Sequence, residues 1–106
     1  MGKYCETKDN LIIVRLNGDL DHHVARDIKD EVDGLIVMNR INRVAFDFKN
    51  VSFMDSSGIG LVMGRYKAMK SVSGRIRVEN LSPSAYKVMS LAGLQRLGEI
   101  KQREVV

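Results

Sequence analysis

The segment Val44-Ala45-Phe46-Asp47-Phe48 constrains this chain most. Four of its five residues are apolar, and it lies between two longer stretches in which apolar residues recur every three or four positions. A run this short and this apolar predicts a strand buried on both faces at the centre of a sheet. Before it, Val24, Ile28, Val32, Leu35 and Ile36 form one stripe, with Asp27, Lys29, Asp30, Glu31 and Asp33 at the other positions. That is the pattern of a helix laid over a sheet. Asp21 is placed to cap its start, and its end is expected near Met38 to Arg40. After the strand, Ile59, Val62, Met63, Tyr66 and Met69 mark a second helix ending near Ser71 to Gly74.

The remaining punctuation fills in the order. Leu11 to Leu16 is rich in β-branched residues and reads as a strand paired with residues 3 to 7 through a turn at Asp9-Asn10. Gly18-Asp19-Leu20-Asp21 breaks that strand. Arg75 to Glu79 alternates as a half-buried strand. Ser82-Pro83 opens a third helix with proline at its first position and a stripe of Ala85, Val88, Met89 and Ala92. Gly93 stops it, and Leu94 to Lys101 leaves room for a short turn and an edge strand. The expected class is α/β, a mixed sheet of about four to five strands with helices packed against it. At 106 residues, with no repeat or linker, residues 1–106 are expected to form a single domain.

Composition removes several classes. One cysteine excludes a disulfide scaffold, and Cys5 without an internal partner, in a chain lacking a secretory leader, predicts a cytoplasmic setting. No apolar run exceeds four residues, so no membrane insertion is expected. Residues 1 to 55 hold eight Lys/Arg and ten Asp/Glu, a net of −2, whereas residues 56 to 106 hold nine against three, a net of +6. The cations follow helical and strand patterns without interleaved aromatics, which argues against nucleic acid as a partner. Arg65, Lys67 and Lys70, on the helix after Ser56, are expected to be solvated, with steering of the domain toward an acidic partner as the alternative.

Chemistry concentrates in Met54-Asp55-Ser56-Ser57-Gly58-Ile59-Gly60, where a buried strand hands over to a helix, the usual place for sites in open sheets. Asp55 is placed as the N-cap, leaving Ser56 and Ser57 in the first turn, where the helix dipole favours an anion. Gly58 and Gly60 each weaken the helix by up to about 1 kcal/mol relative to alanine, so either tight packing or the approach of a partner requires them. Ser56, His22 or His23, and Asp55 supply the residue types of a hydrolase, but Met54 and Gly58 flank Ser56 where a nucleophile elbow has two glycines. No enzymatic activity is expected. Gly58-Ile59-Gly60 and Gly64 lack both the dinucleotide fingerprint and the lysine-ended phosphate loop, which leaves weak nucleotide binding as an alternative. Neither a metal nor another cofactor is expected, since adjacent histidines on a helix diverge and the lone cysteine adds no ligand.

These residues carry a resemblance. Phe53-Met54-Asp55-Ser56-Ser57-Gly58-Ile59-Gly60, followed by Gly64-Arg65-Tyr66-Lys67, resembles the phosphoserine segment of bacterial anti-sigma factor antagonists of the STAS domain family. Gly18-Asp19-Leu20-Asp21-His22-His23 resembles the sporulation branch, which controls the forespore sigma factor F. Leu81-Ser82-Pro83 and Ser90-Leu91-Ala92-Gly93-Leu94 are similar to its last helix and following turn. The four stretches span essentially the whole chain, with Asp19 and Ala92 as conservative departures.

The resemblance implies a switch without catalysis of its own. Its unmodified form would bind a dimeric, ATP- or ADP-bound anti-sigma factor with serine kinase activity and so release the sigma factor. Phosphorylation on Ser56 would inactivate it, and a membrane-bound PP2C-type serine phosphatase would restore it. Asp21, His22, His23, Asp55, Ser56, Ser57, Gly58, Ile59, Gly60 and Met63 would form the docking surface of a monomer. A stress-response partner switch is the alternative within the family, and the Asp21-His22-His23 stretch favours sporulation.

Overall fold

The computed structural model describes residues 2–104. Its elements are β1 (Cys5–Lys8), β2 (Leu11–Leu20), α1 (His22–Asn39), β3 (Arg43–Met54), α2 (Ser56–Lys70), β4 (Arg75–Leu81), α3 (Pro83–Leu91), a 3-10 turn (Leu94–Arg96) and β5 (Glu99–Gln102). The strands lie side by side in chain order, with β1 antiparallel to β2 and every later pair parallel. The expected mixed sheet is therefore present, with β3 at its centre.

Three parallel crossovers step in one direction, and right-handed crossovers of that kind place all their helices on one face. Burial agrees. Ile12, Val14, Leu16 and Leu20 of β2, Val44, Phe46 and Phe48 of β3, and Ile76 and Val78 of β4 are all buried. They meet Ala25, Ile28 and Val32 of α1 and Leu61, Val62 and Met69 of α2 in one core. The other face is open, which corrects the expectation that β3 is covered on both sides. There Arg15 pairs with Glu6 and Asp47, and Arg77 with Glu79. Ala45 is nonetheless buried, because a short side chain at the sheet centre is shielded by its longer neighbours.

Helix starts follow the sequence. Asp21 accepts from the Val24 amide at 3.0 Å, Asp55 from the Ser57 amide at 2.7 Å and Ser82 from the Ala85 amide at 3.1 Å, each satisfying a first-turn donor. Arg40, at φ 52°, closes α1 within the expected range, and Gly93, at φ 86°, turns the chain after α3.

Strand ends do not follow the sequence as closely. β2 continues through Gly18-Asp19-Leu20, and β3 continues past Phe48 to Met54. Register shifts fall between Arg15 and Asn17 and between Gly18 and Asp19. Gly18 takes φ 78°, a conformation that lets the strand absorb a bulge and go on pairing. The third helix also differs from its expected stripe: Met89 is buried, but Val88 and Ala92 are exposed. α3 is short and covers the sheet margin, where Met89 is buried and Ala85 and Tyr86 pack against the core part-buried.

Candidate functional site

The outer ends of β2 and β3 run side by side, with Asp19 opposite Phe53 and Leu20 opposite Met54. The Asp55 amide donates to the Leu20 carbonyl at 3.4 Å. Parallel neighbours end on the same edge of a sheet, so the starts of α1 and α2 are brought together there. Asp21, His22 and His23 thus stand beside Asp55, Ser56 and Ser57, two segments more than thirty residues apart in sequence.

Ser56 is the first residue of α2 and is exposed, whereas Ser57 is half-buried with its amide held by Asp55. The two serines open onto different grooves. Ser56 borders a groove of about 410 Å³ between the outer part of β3 and α3, together with Phe53, Ile59, Ala85 and Val88. Ser57 borders one of about 340 Å³ between α1 and α2, with His22, Arg26, Gly60 and Gly64.

The glycines divide in the same way. A Cβ on Gly58 would collide with the Met54 side chain and press on Leu20, so Gly58 is required by interior packing. Around Gly60 there is open space, so packing does not require it. Ile59 and Met63 are both part-buried against the core.

Asp21 is held by the amide of Val24, which keeps its carboxyl below the ordinary range; the amide of His23 and the two nearby imidazoles act in the same direction. His22 and His23 are exposed, and their ring centroids lie 4.1 Å apart, tilted by 37°. This corrects the expected divergence of the two rings. In the first turn no preceding turn restricts their rotamers, so both can lean toward the helix start. Among the described residues, no three His, Cys, Asp or Glu side chains gather as a metal site, and no helix is long and apolar enough to cross a membrane.

Arg65 is also corrected. It is buried, with Nε 2.8 Å from Asp33 Oδ1 in an ion pair that falls outside good hydrogen-bond angles, and is thus committed to the contact of α1 with α2. Lys67 and Lys70 remain exposed, the latter with its ammonium 5.8 Å from the Tyr66 ring centre. Sequence reasoning missed Phe53, Ala85 and Val88 as neighbours of Ser56. The only available signal was an aromatic residue just before the Asp-Ser-Ser-Gly run, and apolar residues there read equally well as core.

The sequence matches the STAS domain family over residues 4–105. It is similar to the anti-sigma F factor antagonist of Paenibacillus polymyxa, 34% identical over 95 residues that cover 90% of this chain and 81% of that one. The fold is similar to that of the anti-sigma factor antagonist SpoIIAA in its unphosphorylated form, with a TM-score of 0.78 and 31% identity over 95% of this chain and 87% of that one. It is equally similar to the Bacillus cell fate determinant SpoIIAA in its phosphorylated form, with a TM-score of 0.77 and 34% identity over 91% of this chain and 87% of the other. Helix starts, sheet order and relatives agree: this chain belongs to the STAS domain family, on the side of its anti-sigma factor antagonists.

Proposed function

We propose that this protein is an anti-anti-sigma factor of the sporulation type. Unmodified, it binds a dimeric, nucleotide-bound anti-sigma factor that is also a serine kinase, and sigma factor F is released. The bound kinase then moves the γ-phosphoryl group of ATP to Oγ of Ser56; the hydroxyl proton departs and ADP remains. A PP2C-type phosphatase hydrolyses the ester and returns the active form. The protein itself acts in the cytoplasm as a single-domain monomer without catalysis, with Asp21, His22, His23, Asp55, Ser56, Ser57, Ile59, Gly60 and Met63 in its docking surface and the buried Gly58 beneath it.

The observation that carries this reading is the exposure of Ser56 at the first position of α2, on the edge where the two capped helix starts meet. Phosphate there adds a charge of about −1.5 to −2 near helix amides that favour it, so the fold accommodates the modification. Desolvating that charge against a partner's surface costs about 2–4 kcal/mol, which weakens binding roughly 30- to 700-fold. A modification tolerated by the fold and rejected by the interface makes a switch. The existence of similar proteins solved in phosphorylated and unphosphorylated forms supports it.

The test is incubation with the cognate anti-sigma factor and ATP, followed by mass spectrometry of the product. Phosphate is expected on Ser56 and absent in Ser56→Ala. A partner that phosphorylates its other substrates but not this chain, or phosphorylated protein that binds as tightly as unmodified protein, would overturn the reading.

A further inference from the structure

We propose that the groove bordered by Phe53, Ile59, Ala85 and Val88 receives an apolar side chain of the anti-sigma factor, and that phosphate on Ser56 acts by closing this contact. The inference rests on the reading above that Ser56 is the switch residue.

Three observations lead to it. The first is an unpartnered strand edge. β3 pairs with β4 only as far as Asp47 opposite Glu79, whereas it pairs with β2 as far as Met54. The outer part of β3 therefore has a strand on one side and, on the other, a groove of about 410 Å³ reaching to α3.

The second is apolar exposure at that groove. Phe53 is 59% exposed and Val88 44%, with Leu91 one helical turn further on at 79%. Phenylalanine is the largest apolar side chain left exposed among the described residues. Aromatic anchors beside a pocket are the usual centres of binding energy in protein interfaces.

The third is position, and it identifies the occupant. Ser56 is itself part of the groove wall. A kinase that reaches its hydroxyl must lay its own surface over Phe53 and Val88, so the partner that modifies Ser56 is also the one that covers the groove. A dianion on that wall would have to be desolvated against the apolar side chain seated there, or exclude it. The other exposed apolar residues, Val37, Met38 and Val72, lie at the far ends of α1 and α2, removed from Ser56 by about 20 Å of helix.

The experiment is calorimetric titration of the purified cognate anti-sigma factor with wild-type protein, Phe53→Ala, Val88→Ala, Phe53→Leu and Met38→Ala, with phosphate on Ser56 followed in parallel. All three positions are among the exposed apolar residues, and thermal unfolding verifies that each variant folds. Phe53→Ala and Val88→Ala are expected to weaken binding about tenfold or more, Phe53→Leu to recover most of the loss, and Met38→Ala to stay within about twofold of wild type. If wild type binds and is phosphorylated on Ser56 while Phe53→Ala and Val88→Ala bind within about twofold of it, the groove is overturned and the switch stands. Equal weakening by Met38→Ala would also overturn the groove. If wild type neither binds nor accepts phosphate, the switch falls and the groove with it.

Discussion

The amide of Asp55 donates to the carbonyl of Leu20, which carries the pairing of the two longest strands one residue past Leu20 opposite Met54. Leu20 precedes the cap of α1 and Asp55 is the cap of α2. The paired strand ends, closed by this bond, therefore set the spacing between two helix starts that carry all but the groove residues of the candidate surface.

Loss of either cap should lower stability without dismantling the fold. Asp21→Ala and Asp55→Ala each remove one acceptor from a first-turn amide, and each is expected to cost about 1 kcal/mol, within 0.5–2. Thermal unfolding of a chain this size would register that as a fall of roughly 4–8 °C. Asp21→Ala is further expected to weaken anti-sigma factor binding; normal affinity in the folded variant would remove Asp21 from the interface.

The two glycines at the start of α2 should respond with opposite signs. Gly60→Ala places a methyl in open space and restricts the unfolded chain, for an expected gain of about 0.4–1 kcal/mol. Gly58→Ala forces Met54 and Leu20 to move, and the overpacking outweighs the gain in helix propensity for a net loss of about 1 kcal/mol. Denaturant titration of the two variants compares them directly. A partner affinity lowered in the stabilised Gly60→Ala would place Gly60 at the interface.

Glu31 holds the amino-terminal strand. Its carboxylate accepts from the amides of Lys3 at 2.9 Å, Tyr4 at 3.1 Å and Cys5 at 2.7 Å. Burial pushes its pKa up, but the Cys5 thiol and these three amides outweigh burial and hold it below the usual range. The Cys5 thiol is pushed up, by burial first and then by that carboxylate, so it remains protonated and unreactive at neutral pH. A lowered carboxylate pKa contributes stability that is present above the unfolded value of 4.5 and is lost as pH falls through the folded value. Glu31→Gln is expected to cost about 1–2 kcal/mol at pH 7 through the three weakened hydrogen bonds, with the difference from wild type shrinking as pH falls below 4.5 and the carboxylate takes up its proton. Urea titrations above and below that pH would check it; a constant difference would show that charge is not the cause.

Arg65 and Asp33 should be unequal partners. Arg65 is buried, whereas the Asp33 side chain keeps 34% of its surface in water. Asp33→Ala strands a buried guanidinium and is expected to cost about 1–3 kcal/mol, while Arg65→Met replaces it with an apolar chain of similar length and should cost less. If denaturant titration gave the reverse order, the ion pair would not be what holds Arg65 inside. Salt should weaken any steering by Lys67 and Lys70 and leave the Arg65 contribution nearly unchanged.

Local chemistry was legible wherever a residue acts on its own neighbours. Asp21, Asp55 and Ser82 cap amides two or three positions away, and Pro83 and Gly93 act through their own backbone angles, so each helix start is written in adjacent letters. The alternation of strands with amphipathic stretches dictated a mixed sheet with β3 at its centre. The Asp-Ser-Ser-Gly run identified the first turn where an exposed hydroxyl would stand. What depended on distant partners was not legible. An apolar pentapeptide looks the same whether one sheet face is covered or two, and only the common direction of the crossovers left Asp47 and Arg15 in water. Arg65 carried the letters of a solvated helix face until the approach of α1 placed Asp33 against it. Val88 was expected in a buried stripe and Phe53 carried no sign of exposure, yet β4 parts from β3 after Asp47, so both remain exposed beside Ser56. The sequence by itself determined the elements and the helix start that carries Ser56 and Ser57, because capping and periodicity are short-range. Tertiary structure alone decided which apolar side chains stay outside, because burial depends on where every other element ends.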